Sequence, residues 1–520
     1  MGPYLMGIDA GISVVKAALY DLNGNNLAVS SCRLPIESPS PGWAERDVDV
    51  LWDRTKKVIG ETLKKSRINP EEIAGIGLSA YSAGQFFLDA NGTPVRRGII
   101  SSDTRATYIA ERFEKDENVE KEVYDITAQR VWPGGSIALL TWIKENEPKN
   151  YERTRWIIWC KDFIKYKLTG TICTDESDPS SGLADYRTRR YSEKLLEITN
   201  LDDSMDKLPE IIEGWKICGE ITAQASKETG LKKGTPVASG VDDMSGVGIG
   251  AGVIDPGRIM AIMGTWSINF VVTDKPMFIP WEQRCPFFGR IYGVPNRWYP
   301  SSDSPTSAVN LNWFVDQCGG DERLEAQKRN ISPYALCDEE VQETPIGAGG
   351  LIYHPFIFGS PQNPRSRAGF YGIGAWHTRK HLLRALYEGV AFCHYGHIKI
   401  LMDNLNLNVR DVTLTGGGAR SKVWAQIMTD VLNIRTRVPK GLELGTLGDA
   451  ITAGIGVGIF KDHRTGIREM SSPMGEERFE PIEENVEKYR VIYNVYKLIE
   501  NVMESNKIWE NLHDVEMLAR

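Results

Sequence analysis

Four short stretches of this 520-residue chain combine residue types suited to chemistry on a polyphosphate. Asp9 ends an apolar strand just before the turn Ala10-Gly11-Ile12-Ser13, and a second strand follows from Val14. The same build returns in the second half: Ile259–Met263, the turn Gly264-Thr265-Trp266-Ser267, then Ile268–Val272. Glycine lets each turn bend sharply and lets backbone N–H groups approach a ligand, and the neighbouring hydroxyl adds a donor. Two such turns facing each other would grip a polyphosphate from both sides. A carboxylate at Asp9 can hold Mg²⁺ beside the phosphates. A turn aspartate also serves simply to accept local N–H bonds.

Gly240-Val241-Asp242-Asp243 sets two acids between a buried strand and a helix N-terminus, where the dipole and free amides favour the ionised carboxylate. One of them suits a base that orients a hydroxyl and takes its proton late in a loose phosphoryl transfer. The other reads as a helix N-cap. Thr415-Gly416-Gly417-Gly418-Ala419 follows a strand and gives the flat approach a nucleoside needs. Lys16, a lone lysine on a strand, reads as solvent-facing. His394-x-x-His397 and His377-x-x-x-His381 have helical spacing that could hold a metal, but no third ligand is evident, so they read as packing or surface residues.

Positioning these groups needs an α/β framework. The spacing predicts a helix over Val50–Ser66, strands at Ile73–Ser79 and Gln85–Leu88, helices near 104–116 and 136–146, and a glycine-rich helix from Ser245 to Gly252. A turn at Ile254-Asp255-Pro256-Gly257 closes the first half, after which the hairpin pattern restarts. Two domains, 1–254 and 255–520, follow as the expectation. The second half predicts a helix over about His377–Asn404, a strand at Asp411–Thr415, helices after Ser421 and after Asp449, and a charged helical stretch near 483–516. Ligands would sit in the cleft between domains.

A formal charge of −8 argues against a nucleic-acid surface. No apolar run reaches membrane-spanning length, and Met1 leads almost directly into the first strand, leaving no room for a signal peptide. Eight scattered cysteines without a C-x-x-C pair read as reduced thiols, so a cytoplasmic protein without a zinc site is expected.

From about residue 5 to 460 the chain resembles the FGGY carbohydrate kinases of the actin-like ATPase superfamily. The matching residues include both hairpins, Leu88-Asp89-Ala90-Asn91-Gly92, Asp103-x-Arg105, Lys161-Asp162-Phe163 with Leu168-Thr169-Gly170, Gly234-Thr235-Pro236, Ala368–Ile373 through Glu388-Gly389, Gly416–Ala419 and Gly445–Ala450. The resemblance implies two actin-like (ribonuclease H-like) α/β domains with the active site in their cleft. It also implies ATP and Mg²⁺ as cofactors, a small sugar or polyol as substrate, and no nucleic-acid or membrane partner. Dimerisation is common in that family, so a homodimer is an open expectation.

Counting back from Gly250-Ala251-Gly252 assigns the catalytic base to Asp243. By the same resemblance Asp9 and Asp243 flank the metal and γ-phosphate, Gly264 and Thr265 hold phosphate oxygens, and Gly417, Gly418 and Ala419 border the adenosine. Ser82, Ala83 and Asp103 fall where the family meets its sugar, and Trp132 and Trp266 could pack on the sugar or the cleft wall. Some positions depart from the pattern. Ile12 replaces a common threonine, which leaves Gly11 and Ser13 to serve the first phosphate turn. Ala80-Tyr81-Ser82-Ala83-Gly84 lacks the histidine of D-xylulose kinases, which argues against D-xylulose itself. Gly264–Asn269, Ser304–Ala308 and Tyr387–Phe392 look like the branch of L-xylulose/3-keto-L-gulonate and erythritol kinases. The expected reaction is phosphorylation of a terminal hydroxyl of a ketose. A polyol kinase, and an inactive sugar-sensing regulator on the same fold, are the alternatives.

Overall fold

The computed structural model describes residues 2–518 apart from 361, 362, 408 and 442. The first half builds one mixed sheet from β1 (Tyr4–Ala10), β2 (Val14–Tyr20), β3 (Asn26–Arg33), β4 (Ile73–Ala80), β5 (Ile217–Glu220), β6 (Pro236–Ala238) and β7 (Val241–Asp242). Its order is β3-β2-β1-β4-β6-β5, with β7 paired to the end of β4. The second half builds another from β8 (Arg258–Met263), β9 (Ser267–Val271), β10 (Ser301–Ser304), β11 (Asp411–Thr415), β12 (Thr436–Pro439) and β13 (Glu476–Phe479), in the order β10-β9-β8-β11-β12-β13.

The repeat seen in the hairpins therefore extends to whole sheets. In each, the opening strand pairs antiparallel with its hairpin mate and parallel with a strand that arrives much later in the chain. Such parallel pairs require long crossovers, and helices supply them. Helix α1 (Val48–Ser66) starts at Asp47, whose carboxylate accepts the N–H groups of Asp49 and Val50, and buries Leu51, Val58, Ile59 and Leu63. Helices α2 (Ser136–Asn146), α3 (Cys160–Thr169), α4 (Asp243–Gly250), α5 (Arg379–Leu405), α6 (Lys422–Leu432), α7 (Leu444–Gly456) and α8 (Glu483–Ser505) are the others that matter here. No described helix is long and apolar enough to cross a membrane.

One sequence expectation is corrected. The helix anticipated after Asp449 begins at Leu444, so Asp449 lies mid-helix. Gly445 and Gly448 look like turn residues in the sequence, but they serve close approach instead. A Cβ on Gly448 would lie 1.9 Å from the Gly246 carbonyl of α4, and one on Gly445 would lie 2.7 Å from Asp9 Oδ2. Each glycine costs about 1 kcal/mol of helix propensity, which the packing must offset.

That packing joins the halves. Leu447, Ala450 and Ile451 of α7 share a core cluster with Leu5, Ala18 and Tyr20 of the first sheet and Met260 and Phe270 of the second. The chain passes from sheet to sheet between Asp242 and Arg258. Helix α7 then returns from the second half to lie on β1 and β4.

Candidate active site

Asp9 is placed by register. It faces Lys16 across the β1–β2 hairpin and Ser79 across the parallel β1–β4 pair. The Ser79 hydroxyl lies 2.9 Å from Asp449 Oδ2 and 3.4 Å from Asp9 Oδ1. Lys16, expected to face solvent, instead lines a cavity and pairs with Glu443 at 2.7 Å. A strand pattern alone cannot reveal that the second half supplies a carboxylate over this face of the sheet.

This first cavity, of about 490 Å³, opens at the ends of β8 and β11 and is lined by Asp9, Lys16, Gly416, Gly417, Ala419, Arg420, Lys440 and Glu443, among others. A Cβ on Gly417 would meet nothing within 4 Å, so the backbone there faces open space. Gly418 is buried against Met263 and does not line the cavity. The lining sets Lys16, Arg420, Lys422 and Lys440 against Asp9, Glu443 and Glu477, with Lys16 paired to Glu443 and Lys422 to Glu477, a balance still positive enough to suit phosphate.

The neighbouring cavity, about 340 Å³, shares Ile262 with the first. Ser82, Trp132, Asp243, Gly264, Thr265 and Trp266 line it, together with Tyr81, Arg290 and Asp303. The structure thus gathers most of the residues proposed from sequence for the sugar and for the second phosphate turn. Trp132 Nε1 and Arg290 Nη1 are buried here without a hydrogen-bond partner among the described residues. Unpaired buried donors are rare, and two in one cavity point to a polar ligand.

Some expected residues lie outside both linings. Gly11 and Ser13 occupy the β1–β2 turn, where the Gly11 N–H donates to Val14 O at 3.0 Å and Ser13 is exposed. Ala83 is buried with φ at +62°. Asp103 spends its carboxylate elsewhere: it accepts the Ala44 N–H at 2.6 Å and forms a two-pronged pair with Arg105 at 2.9 and 2.8 Å. Trp43 covers that guanidinium at 3.9 Å and Glu45 binds it at 2.8 Å. This cluster is a buried support, and nothing in the one-dimensional spacing separates it from a sugar contact.

The two neighbouring acids part company. Asp242 is the N-cap of α4, accepting the Ser245 N–H at 2.8 Å and the Tyr299 hydroxyl. Its own N–H donates to Ser177 Oγ at 2.8 Å. Close by in sequence to Ser177, Asp175 and Asp178 join Asp162 around the buried Lys161 ammonium, at 3.1, 2.9 and 2.8 Å. Asp243 begins the helix and points into the cavity. No side-chain donor among the described residues reaches its carboxylate, and the Met244 N–H steadies it. Burial, then Asp242 and Asp9, push its carboxyl well above the ordinary carboxylate range.

Burial likewise raises Asp9 to about 6, against a pull downward from Lys16. Asp449, missed by the site reading from sequence, is fully buried, held well above the usual range by burial and by Asp9, and leaves Oδ1 without a partner. Asp9 pushes up both Asp243 and Asp449, and Asp243 pushes up Asp449, so a cation is welcome among these carboxylates. Their all-oxygen chemistry fits Mg²⁺. Among the described residues no group of three side-chain ligands converges as a protein cage.

The buried histidines act in support. Asn269 Nδ2 donates to Ser267 Oγ and to Ser302 O, so Asn269 Oδ1 accepts from His394 Nδ1 at 2.6 Å and His394 Nε2 accepts the Ser307 hydroxyl at 2.8 Å. His397 bonds to Ser302 at 2.8 Å.

Comparison with known proteins agrees with this geometry. The N-terminal domain of the FGGY family of carbohydrate kinases matches residues 4–250, and its C-terminal domain matches 259–457. The L-xylulose/3-keto-L-gulonate kinase of Escherichia coli is 36% identical over 475 residues, 91% of this chain and 92% of that protein. A probable L-xylulose kinase of Haemophilus influenzae is 36% identical over 451 residues, 86% and 90% of the two chains. The crystal structure of a xylulose kinase from Brucella ovis superposes with a TM-score of 0.84 at 25% identity, covering 96% and 99% of the chains. A glycerol kinase from Plasmodium falciparum with ADP shares the fold, with a TM-score of 0.83 at 20% identity and coverage of 96% and 98%. With both domain descriptions matched in order along one two-domain α/β chain, the protein belongs to the FGGY family of carbohydrate kinases.

Proposed function

We propose that the chain transfers the γ-phosphoryl group of ATP to a terminal hydroxyl of a ketose, either a pentulose such as L-xylulose or a keto-sugar acid. The observation that carries this reading is the unequal pair Asp242 and Asp243. One is consumed as a helix cap, while the other stands free in a cavity that adjoins a cationic one.

The nucleotide occupies the larger cavity, with its adenosine against Gly417 and Ala419 and its phosphates toward Lys16, Asp9, Gly264 and Thr265. The sugar occupies the smaller one, between Trp132, Trp266 and Ser82. Asp243 orients the acceptor hydroxyl and receives its proton as the oxygen–phosphorus bond forms. Its raised pKa brings it nearer the working range of a base. Bound Mg²⁺, held by Asp9 and Asp243, would offset phosphate charge as transfer proceeds. Closure of the two halves over the bound ligands would exclude water.

A specific observation favours a keto-sugar acid among the ketoses. Arg290 faces the sugar cavity with a buried, unpartnered Nη1, a donor matched to a carboxylate.

Asp243→Asn is expected to remove nearly all transfer, a loss of about 10³-fold or more, while ATP binding measured by calorimetry stays close to wild type. Retained turnover would shift the role to another group. ADP release against a panel of ketoses, keto-sugar acids and linear polyols identifies the acceptor. Strong turnover confined to polyols would overturn the ketose reading.

A further inference from the structure

A third cavity, about 510 Å³, lies where β8 and β11 begin, away from their carboxyl ends. Five arginines line it, Arg258, Arg437, Arg464, Arg468 and Arg478, against two carboxylates, Asp255 and Glu476. Asp411 and Glu469 add partial compensation from outside the lining. We propose that this cavity is a binding site for a small, multiply charged phosphate-bearing anion, separate from the nucleotide and sugar cavities.

The donors are incompletely used. Arg258 spends Nη1 on Asp411 at 3.3 Å, yet its buried Nε makes no hydrogen bond among the described residues, with the Asp255 carboxylate 4.0 Å away. Arg437 spends Nε on Thr413 at 2.8 Å and Nη1 on Glu476 at 3.1 Å, yet its Nη2 is buried and unpaired. Ser471 Oγ is a third orphan in the same lining. Buried donors without a hydrogen bond are costly, so an occupant that accepts from these groups is expected.

Two further features point the same way. Arg437 and Arg478 stand directly opposite each other across the β12–β13 ribbon and share the single carboxylate of Glu476, at 3.1 and 2.7 Å. The segment Ile467–Ser471, which contributes Arg468 and Ser471, is a π-helical turn, a distortion frequent at functional sites. Planar guanidinium forks match phosphate oxygens in pairs.

The placement gives the site a route to the nucleotide. Along the ribbon, Arg437, Glu476 and Arg478 line the arginine cavity, while the alternate residues Val438 and Glu477 line the nucleotide cavity. One two-stranded wall therefore separates the two ligands, and an anion that straightens Arg437 and Arg478 acts on the reverse face of that wall.

The test uses the full chain saturated with Mg²⁺ and a non-hydrolysable ATP analogue, so that the nucleotide cavity is filled. Pyrophosphate and glucose 6-phosphate are titrated separately by calorimetry, and the arm that binds more tightly tells an inorganic ligand from a phosphorylated sugar. Saturable binding in either arm is expected, weakened about tenfold or more in R464Q/R468Q and in R437Q. The first variant changes side chains 69% and 71% exposed, so it keeps the fold, and its activity without added anion is expected to equal wild type. No saturable heat in either arm, or binding that survives both variants unchanged, overturns the proposal. Because the readout is binding outside the filled nucleotide cavity, its failure would leave the kinase reading untouched.

Discussion

The two hairpins have the same local pattern but are used differently. In the first, the chemistry lies on the strands: Asp9 and Lys16 face one another in register, and the turn residues Gly11 and Ser13 fall outside both cavities. In the second, the strand ends are buried and the turn itself, Gly264-Thr265-Trp266, forms the cavity wall. Their supports differ as well. Carboxylates and a helix glycine surround the first, whereas the second rests on the buried neutral network of Ser267, Asn269, Ser307 and His394. A glycine turn between strands thus specifies a bend, and what packs over it decides which atoms meet the ligand.

Breaking the first hairpin is expected to have the larger effect. Asp9→Asn should lower kcat about a hundredfold and raise the Mg²⁺ concentration needed for half-maximal rate, with the sugar KM little changed. Equal loss at all Mg²⁺ concentrations would show that Asp9 is not tied to the metal. On the second hairpin, Thr265→Ala should reduce kcat about tenfold without altering the Mg²⁺ requirement, as expected for loss of one hydrogen bond to a phosphate oxygen. A shifted Mg²⁺ requirement in this variant would erase the division of labour between the hairpins.

Trp266 is 44% exposed, so it packs on whatever enters the sugar cavity rather than on the core. Trp266→Ala should raise the sugar KM severalfold, by about 1 kcal/mol of lost apolar contact, and leave the ATP KM unchanged. An effect on ATP alone would place the ring on the wrong side of the turn.

The smallest expected effect separates the supports by pH. Burial, and then His397, hold His394 down to about 3. In the unfolded chain it titrates near 6.5. The unfolded state therefore binds the extra proton first as pH falls, and stability is lost progressively below about 6.5. At pH 5 this amounts to about 2 kcal/mol, or a few degrees in Tm. His394→Asn should show a smaller Tm drop between pH 7 and 5 than wild type. Identical pH profiles in the two proteins would remove His394 from the support of the second hairpin.

Much of the fold was legible because periodicity and turn chemistry are local. The repeated hairpin, the strand at Asp411–Thr415 and the amphipathic α1 could all be read in place. Helix α7 starts five residues earlier than the sequence suggested, and Gly445 and Gly448 sit inside it because Asp9 and α4 approach them closely. Lys16 and Asp103 illustrate the complementary limit. Each is a charged residue of suitable type, one turned into the nucleotide cavity by Glu443 from the far end of the chain, the other withdrawn from the sugar by Arg105.

The sequence by itself determined the reaction class. The glycine-turn hairpin repeated in two halves, with an acid beside the first turn, pointed to a polyphosphate and its metal, and the motif order named the family. Only the tertiary structure decided which of Asp242 and Asp243 is free, which side chains share each cavity, and that Asp449 and Arg290 belong to the site. Those facts depend on contacts between residues hundreds of positions apart, and burial sets the charge and hydrogen bonding of each group only after the two halves have closed on one another.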